Sequence, residues 1–386
     1  MSPRMNRRLD DFTQSDLRAM TRACRAVGGI NLAQGLSDLP THPLVQEGAI
    51  EAIRAHHSTY SPQEGIPELR EAIARKMRAD NRLACDPETE VVVTAGATGG
   101  FTAAAMALLD PGDEMILFEP YYPYHRNALI GLGAAPIAVR MQGDRCAIDD
   151  DALAAAVTDR TKAIVVCNPA NPPGKVFRRD ELERIARLCV ERDLFAITDE
   201  IYEYYLYDGN EHVSLATLPG MRERTITISG FSKTFRITGW RLGYVVAVPE
   251  IARRIGVVND AFYVCAPTPL QYGAARGLGV GRSYYVELRE SYQRKRDLLA
   301  RAVEAAGMRP LIPEGCYYLM AEVSRLGWGD ARTAARKLLD TAGVAAVPGR
   351  AFYDGDEGDR WLRFCFAKED AVLEEAARRL ERVGRM

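Results

Sequence analysis

The sequence predicts an α/β protein: a mainly parallel sheet sandwiched by helices, followed by a smaller α+β domain. Three observations predict it. Short β-branched runs at residues 90–94, 114–118, 163–167, 194–198, 225–229 and 244–248 read as buried strands. Amphipathic helical patterns separate most of them, the alternation that builds a parallel sheet with helices on both faces. After about residue 282 the texture changes, and a long charged helical run to about residue 306 precedes strand candidates at 317–322 and 361–366, each followed by a helix.

At 386 residues the chain exceeds one small core, so two lobes are expected. The expected division is a segment 1–45 that packs on the small domain, a large domain over 46–281 and a small domain over 282–386. No internal repeat, low-complexity tract or Pro/Gly-rich linker interrupts the sequence, so the lobes should share an extensive interface. Fifty basic and fifty-two acidic residues give a net charge of −2. Such a balance supplies no field toward nucleic acid or an anionic membrane, and small-molecule work is the expectation. Residues 1–11 carry basic side chains but run into Asp10 and Asp11 where a signal peptide needs an apolar stretch, so a cytoplasmic protein is expected. No segment approaches the roughly eighteen apolar residues of a membrane span. Eight cysteines without a CxxC pair read as reduced and structural, and five histidines without HExxH spacing predict no metal site.

Five segments carry candidate chemistry. Thr94-Ala95-Gly96-Ala97-Thr98-Gly99-Gly100 follows a strand and opens a helix expected at 101–109. Free N–H groups at such a start suit a phosphate, although a glycine-rich turn alone is more often just a tight turn. Asn168-Pro169-Ala170-Asn171-Pro172-Pro173-Gly174 is a proline-stiffened loop in which Asn171 can bond a ligand. It is not a P-loop, because Val176 and Pro169 stand where Ser/Thr and the first glycine belong. Asp199, ending the strand 194–198, points a carboxylate into the usual ligand crevice or only caps the next turn. Lys233 follows a polar turn and Arg241 comes eight positions later. A lysine so placed can form a Schiff base with an aldehyde and a nearby arginine can grip a phosphate, and pyridoxal phosphate has both groups. Arg363, alone in the apolar run Trp361-Leu362-Arg363-Phe364-Cys365-Phe366, is either a solvated strand residue or a bidentate carboxylate ligand.

In order and spacing these segments resemble the fold-type I pyridoxal-phosphate enzymes, specifically class I/II aminotransferases. The resemblance runs from Asn31-Leu32-Ala33-Gln34-Gly35 through Tyr60-Ser61-Pro62-Gln63-Glu64-Gly65 to Arg363, nearly the whole chain. It implies that pyridoxal 5′-phosphate is the cofactor, bound by the large domain, and that Lys233 forms the Schiff base and shuttles the substrate's Cα proton. Asp199 would keep the pyridine nitrogen protonated, while Tyr202 and Asn171 would bond the phenolic oxygen. Tyr122 would stack on the ring, with adjacent Tyr121 the alternative. Ala97, Thr98, Ser232 and Arg241 would hold the phosphate, with Ser229 the runner-up hydroxyl, because Gly230 stands where many relatives carry Ser. Tyr60 would reach a phosphate across a dimer interface, making the protein a homodimer. Arg363, Asn171 and the backbone near Gly35 would bind the α-carboxylate.

The family's usual Gly-x-Pro-Asp-Phe is here Gly35-Leu36-Ser37-Asp38-Leu39, which alters the substrate-side loop. Phe12, Tyr121, Tyr263 and Phe352 are candidates to line a side-chain pocket, although such aromatics are more often core. No second arginine for a distal carboxylate is identifiable. The implied activity is ping-pong transamination between an L-amino acid, aromatic, methionine-, glutamine- or kynurenine-like, and a 2-oxo acid. A C–S or other β/γ-lyase, or a specialised biosynthetic enzyme of the same fold, is the alternative. A ligand-sensing regulator is disfavoured, because only about forty-five residues precede the first long helix and they show no helix-turn-helix pattern.

Overall fold

The computed structural model describes residues 5–12 and 15–384, so parts of the segment expected at 1–45 (residues 1–4, 13 and 14) and residues 385–386 lie outside the described residues. The chain opens with α1 (Ser15–Ala26), β1 (Ile30–Asn31), α2 (Pro43–Arg54) and α3 (Pro67–Asp80). Proline at the first turn starts both α2 and α3, where its missing N–H costs nothing. Strands and helices then alternate: β2 (Val91–Thr94), α4 (Gly96–Leu108), β3 (Glu114–Glu119), α5 (Pro123–Leu132), β4 (Ala135–Arg140), α6 (Asp150–Ala155), β5 (Thr161–Cys167), α7 (Arg179–Glu191) and β6 (Phe195–Asp199). Next come β7 (Thr225–Gly230), β8 (Gly243–Val246), α8 (Pro249–Tyr263), α9 (Thr268–Gly277) and α10 (Arg282–Ala305). The C-terminal part holds β9 (Arg309–Leu311), β10 (Tyr318–Glu322), α11 (Ala331–Ala342), β11 (Val344–Ala345), β12 (Val347–Pro348), β13 (Trp361–Cys365) and α12 (Asp370–Val383).

A seven-stranded sheet has the order β2-β8-β7-β6-β5-β3-β4, and only β8 runs against its neighbours. Its strands alternate residues between two covered faces. Met115, Leu117, Ala163 and Val165 pack with Phe101, Leu129 and Ile255 from α4, α5 and α8, while Ile116, Phe118, Ile164 and Val166 pack on the opposite face. Each fully buried aliphatic or aromatic side chain of this kind contributes about 1.5–3 kcal/mol. A smaller domain carries an antiparallel sheet of order β12-β13-β10-β9. Residues 15–31 lie against these C-terminal elements: β1 pairs in parallel with β11, Ile30 opposite Val344 and Asn31 opposite Ala345, and α1 packs beside β12 and α11.

Three expectations need correction. The first long helix, expected after about forty-five residues, is preceded by α1, which at 12 residues is as long as α2. The helix expected at 101–109 begins at Gly96, so the glycine turn is itself its first turn. The large sheet also has a seventh strand, β4, which the pattern did not reveal: it is an edge strand carrying Pro136, half-exposed over most of its length, without the continuous apolar run of a central strand. Among the described residues no helix is long and apolar enough to cross a membrane.

Candidate active site

Because β8 alone is reversed, the carboxyl ends of β2, β3, β5, β6 and β7 open on one edge of the sheet, and the start of β8 lies at that edge too. Every candidate segment of the large sheet leaves from this edge: Thr94–Thr98, Pro120–Tyr122, Asn168–Asn171, Asp199–Tyr202, Gly230–Lys233 and Arg241–Gly243. A crevice at strand ends is where open α/β sheets take ligands.

One corner is an anion cradle. Gly96 has φ +74°, and a Cβ there would lie 2.5 Å from Nη2 of Arg241. Arg241, itself at φ +54°, donates from Nη1 to Thr238 O at 3.0 Å and from Nη2 to Ala95 O at 3.4 Å. A Cβ on Gly243 would meet the Ala97 nitrogen at 2.6 Å. Two glycines thus bring a guanidinium and the start of β8 against the first turn of α4, where the N–H groups of Ala97 and Thr98 lack the helical acceptors of later turns. Ser232 is buried beside Lys233. Ser229 is already engaged, since its Oγ donates to Glu203 Oε1 at 3.0 Å, which favours Ser232 as the available hydroxyl.

Lys233 sits in the turn after β7, where Tyr205 Oη donates to its carbonyl at 2.8 Å. Its Nζ lies 5.6 Å from the Tyr317 ring centroid and 5.9 Å from that of Tyr202. Burial lowers its pKa below the ordinary lysine range, against the opposing influence of Cys365, Cys316 and Asp199. The neutral form of an amine is the one that attacks an aldehyde, and burial favours that form here.

Asp199 caps the next turn, as one alternative held, and also reaches a histidine. Oδ1 accepts the Ile201 N–H at 3.2 Å, a turn cap, and Oδ2 lies 3.2 Å from His125 Nε2. His125 stacks on Phe101 with centroids 4.2 Å apart, and Tyr122 meets its edge at 5.2 Å. Tyr122 rather than Tyr121 faces the cluster, because the Tyr121 hydroxyl turns away to Asp354 Oδ1 at 2.7 Å. Burial pushes the Tyr122 and Tyr202 hydroxyls far above the usual tyrosine range, keeping both as protonated donors.

Arg363 is 2% exposed, which overturns the solvated-strand alternative. Nη1 donates to Asn171 Oδ1 at 3.0 Å and Nη2 to Ala33 O at 3.2 Å, while Nε is buried without a partner. The guanidinium carbon lies 4.0 Å from the Tyr318 ring centroid and 4.7 Å from that of Phe352. Gly35 completes this corner: Tyr317 Oη donates to its carbonyl at 3.0 Å, and a Cβ on it would overlap Tyr318 Oη at 1.7 Å.

The single chain leaves Tyr60 80% exposed, apart from the buried cluster. Of the aromatic pocket candidates, Phe352 flanks Arg363, Tyr263 accepts the Ala95 N–H at 3.2 Å, and Phe12 comes within 3.5 Å of the place a Cβ on Gly131 would take. Sequence reasoning missed His125, Tyr317 and Tyr318. The first left a signal, standing three residues after Tyr122 in the opening turn of α5 and so on the same face. The tyrosine pair left none beyond its place at the start of a strand.

The donor set fits a phosphorylated aldehyde: a backbone and guanidinium cradle, a desolvated lysine and a carboxylate beside a histidine. A second guanidinium, that of Arg363, is buried with Nε unpaired, a donor group that suits a carboxylate. Comparison with known proteins gives the family. Residues 27–380 match the family model described as aminotransferase class I and II. The chain is 36% identical to the aspartate aminotransferase of Pyrococcus abyssi, over 99% of this chain and 98% of that one. Its fold superposes with a TM-score of 0.95 on the N-succinyldiaminopimelate aminotransferase of Mycobacterium tuberculosis, at 35% identity over 98% of this chain and all of that one. It superposes at 0.94 on an Escherichia coli protein described as having a methionine aminotransferase function, at 30% identity over 99% and 100% of the two chains.

Proposed function

The chain belongs to the class I and II aminotransferase family and is a pyridoxal 5′-phosphate-dependent aminotransferase, and from that premise we propose that it transfers an amino group from an L-amino acid with an aromatic, methionine-, glutamine- or kynurenine-like side chain to a 2-oxo acid by ping-pong half-reactions. The observation that carries the substrate reading is the buried Arg363 guanidinium between Tyr318 and Phe352. One cation there suits one α-carboxylate, and the rings suit an apolar or aromatic neighbour. Two arginines near the flanking aromatics, Arg126 after Tyr122 and Arg350 before Phe352, are engaged by aspartates, Arg126 with Asp354 at 3.2 Å and Arg350 with Asp356 and Asp359 at 2.7 and 2.8 Å. Neither is free for a distal carboxylate.

When bound, the cofactor supplies an electron sink for the carbanion left by loss of the substrate's Cα proton. Ala97, Thr98, Ser232 and Arg241 would hold its phosphate. Asp199, oriented by His125, would keep its ring nitrogen protonated. Tyr202 and Asn171 would bond its phenolic oxygen, and Tyr122 would cover its ring. The Lys233 amine would anchor its aldehyde group and, once free, serve as the base and acid for the substrate's Cα proton. Arg363, Asn171 and the backbone at Gly35 hold the carboxylate, fixing which bond to Cα stands ready to break.

Assembly as a homodimer is supported by exposed apolar side chains near the anion cradle and on α2: Ile50, Ile53, Tyr60, Val257, Phe262 and Val264. In that arrangement Tyr60 of one subunit reaches the phosphate of the other. A cytoplasmic location is supported by eight cysteines, none of them bridged.

The test is spectroscopic. The visible band of the purified protein is followed while single amino acids are added, then a 2-oxo acid. Loss of the band with aromatic amino acids or methionine, and its return with the oxo acid, is the expected result. A response confined to aspartate would sink the substrate reading, and release of pyruvate or ammonia without the cycle would indicate a lyase.

A further inference from the structure

Asp199 and Glu200 are consecutive, yet each carboxylate has its own histidine. Asp199 contacts His125 directly at 3.2 Å, whereas Glu200 serves a second polar cluster. Glu200 Oε1 accepts from Ser214 Oγ at 2.8 Å and Thr198 Oγ1 at 3.1 Å, and Oε2 meets His212 Nε2 at 2.9 Å and Asn81 Nδ2 at 3.2 Å. One turn later Glu203 accepts from Asn81 Nδ2 at 2.9 Å, Ser229 Oγ at 3.0 Å and Lys76 Nζ. The side chains of Glu200 and His212 are 1% and 8% exposed.

The cluster touches both strand ends that carry the proposed chemistry. The Glu200 N–H donates to Ile228 O at 2.8 Å, and Ser229 Oγ lies 3.4 Å from Glu200 O. Lys233 is four residues beyond Ser229. Among the described residues, Glu200, Glu203 and His212 also have the spacing of a metal site, with ligand atoms within 4.8 Å of one another. The Lys76 ammonium already occupies the cation's place beside Glu203. Two carboxylates and one ammonium leave one negative charge over, and His212, with Nε2 on Glu200 and its buried Nδ1 without a partner, is the group placed to balance it.

The geometry points to Glu200 and His212 as a charge-neutral positioning pair, which fixes the Asp199 carboxylate from below and, through Glu203 and Ser229, the turn of Lys233. This rests on the transaminase reading of Asp199 and Lys233. The pair touches neither cofactor nor substrate. Loss of one member leaves the other buried and uncompensated, and the strain falls on the backbone next to Asp199.

The test is a double-mutant cycle with Glu200→Gln, His212→Gln and the double variant, in which both charges go while amide hydrogen-bonding groups remain. Two quantities are read: the melting temperature of the cofactor-free protein, and kcat and KM of the loaded enzyme for its best amino acid. Each single variant should melt lower and lose about tenfold or more in kcat with KM nearly unchanged, and the double variant should recover most of both. Additive melting effects would overturn the charge pairing. Coupled melting with unchanged kcat would overturn positioning and leave the pair a stability device. A wild-type protein that turns over no amino acid would overturn the transaminase reading itself, and this role with it; that failure shows before any variant is made.

Discussion

Arg363 Nη1 donates to Asn171 Oδ1 at 3.0 Å, so one hydrogen bond joins a strand of the antiparallel sheet to a loop of the parallel sheet. The cation proposed to bind the carboxylate is therefore placed by both sheets at once. A shift of either sheet moves the guanidinium relative to Lys233 and Asp199.

Arg363→Lys should fail almost as badly as Arg363→Ala. Lysine keeps the charge but loses the planar fork and its stacking between Tyr318 and Phe352. Charge-assisted hydrogen bonds are worth about 1.5–3 kcal/mol, so kcat/KM should drop roughly 10- to 100-fold for amino acid and oxo acid alike. Steady-state kinetics with both substrates checks this, and a lysine variant with wild-type KM would remove Arg363 from the site.

Gly35→Ala tests the opposite wall. A Cβ there would overlap Tyr318 Oη at 1.7 Å and Cζ at 2.7 Å, so the ring or the loop must move. Overpacking of this kind typically costs about 1–3 kcal/mol. Carboxylate affinity should fall with stability, because Tyr318 also supports Arg363. Adding Tyr318→Phe removes the nearest atom and should restore part of both. Equal melting curves for wild type and Gly35→Ala would contradict the close approach.

The residues legible in the sequence were those whose signal is local. Asp199, Lys233 and Arg241 stand at fixed distances from strand ends and turns, and turns are punctuated by residue type. Tyr318 and His125 were illegible because their importance lies in a partner far along the chain, Arg363 for one and Asp199 for the other. The other six strands of the large sheet, β2 at the far edge included, read well, since their residues are buried almost throughout and their apolar runs are continuous. Strand β4, at the edge with Pro136, offered no such run. The Glu200–His212 pair was hidden for a third reason. The Asp-Glu dipeptide reads as one polar turn, and only the fold separates its carboxylates.

That pair should also leave a mark on stability versus pH. For both groups burial acts first, pushing His212 down and Glu200 up, and their mutual pairing outweighs it. His212 ends above its ordinary 6.5, so its contribution is complete below that value and is lost as pH rises through the folded pKa. Glu200 ends below its ordinary 4.5, so its contribution is complete above that value and is lost as pH falls through the folded pKa. The groups facing His212 that set this balance are Glu200, Glu203 and Lys76. The melting difference between wild type and Glu200→Gln/His212→Gln should therefore peak between the two ordinary values and shrink on either side. A difference that does not vary with pH would show that neither group titrates as described.

Lys233 predicts a gain of stability at the expense of function. Its ammonium is charged in the unfolded chain and loses water on folding, and burial lowers its pKa in the native protein. The unfolded state then binds more protons, so this residue opposes folding at neutral pH, and the opposition fades only as pH approaches the ordinary lysine value of 10.5. Lys233→Met keeps a similar length without the amine. The cofactor-free variant should be more stable than wild type by about 1–3 kcal/mol near neutrality, the usual penalty of a buried polar group without a partner. The gap should narrow as the solution becomes alkaline, and turnover should be lost at every pH. Chemical denaturation of the two cofactor-free proteins across that range gives the answer. A methionine variant no more stable than wild type would mean that the amine is well solvated in the native state, and the physical basis offered here for its reactivity would fall with it.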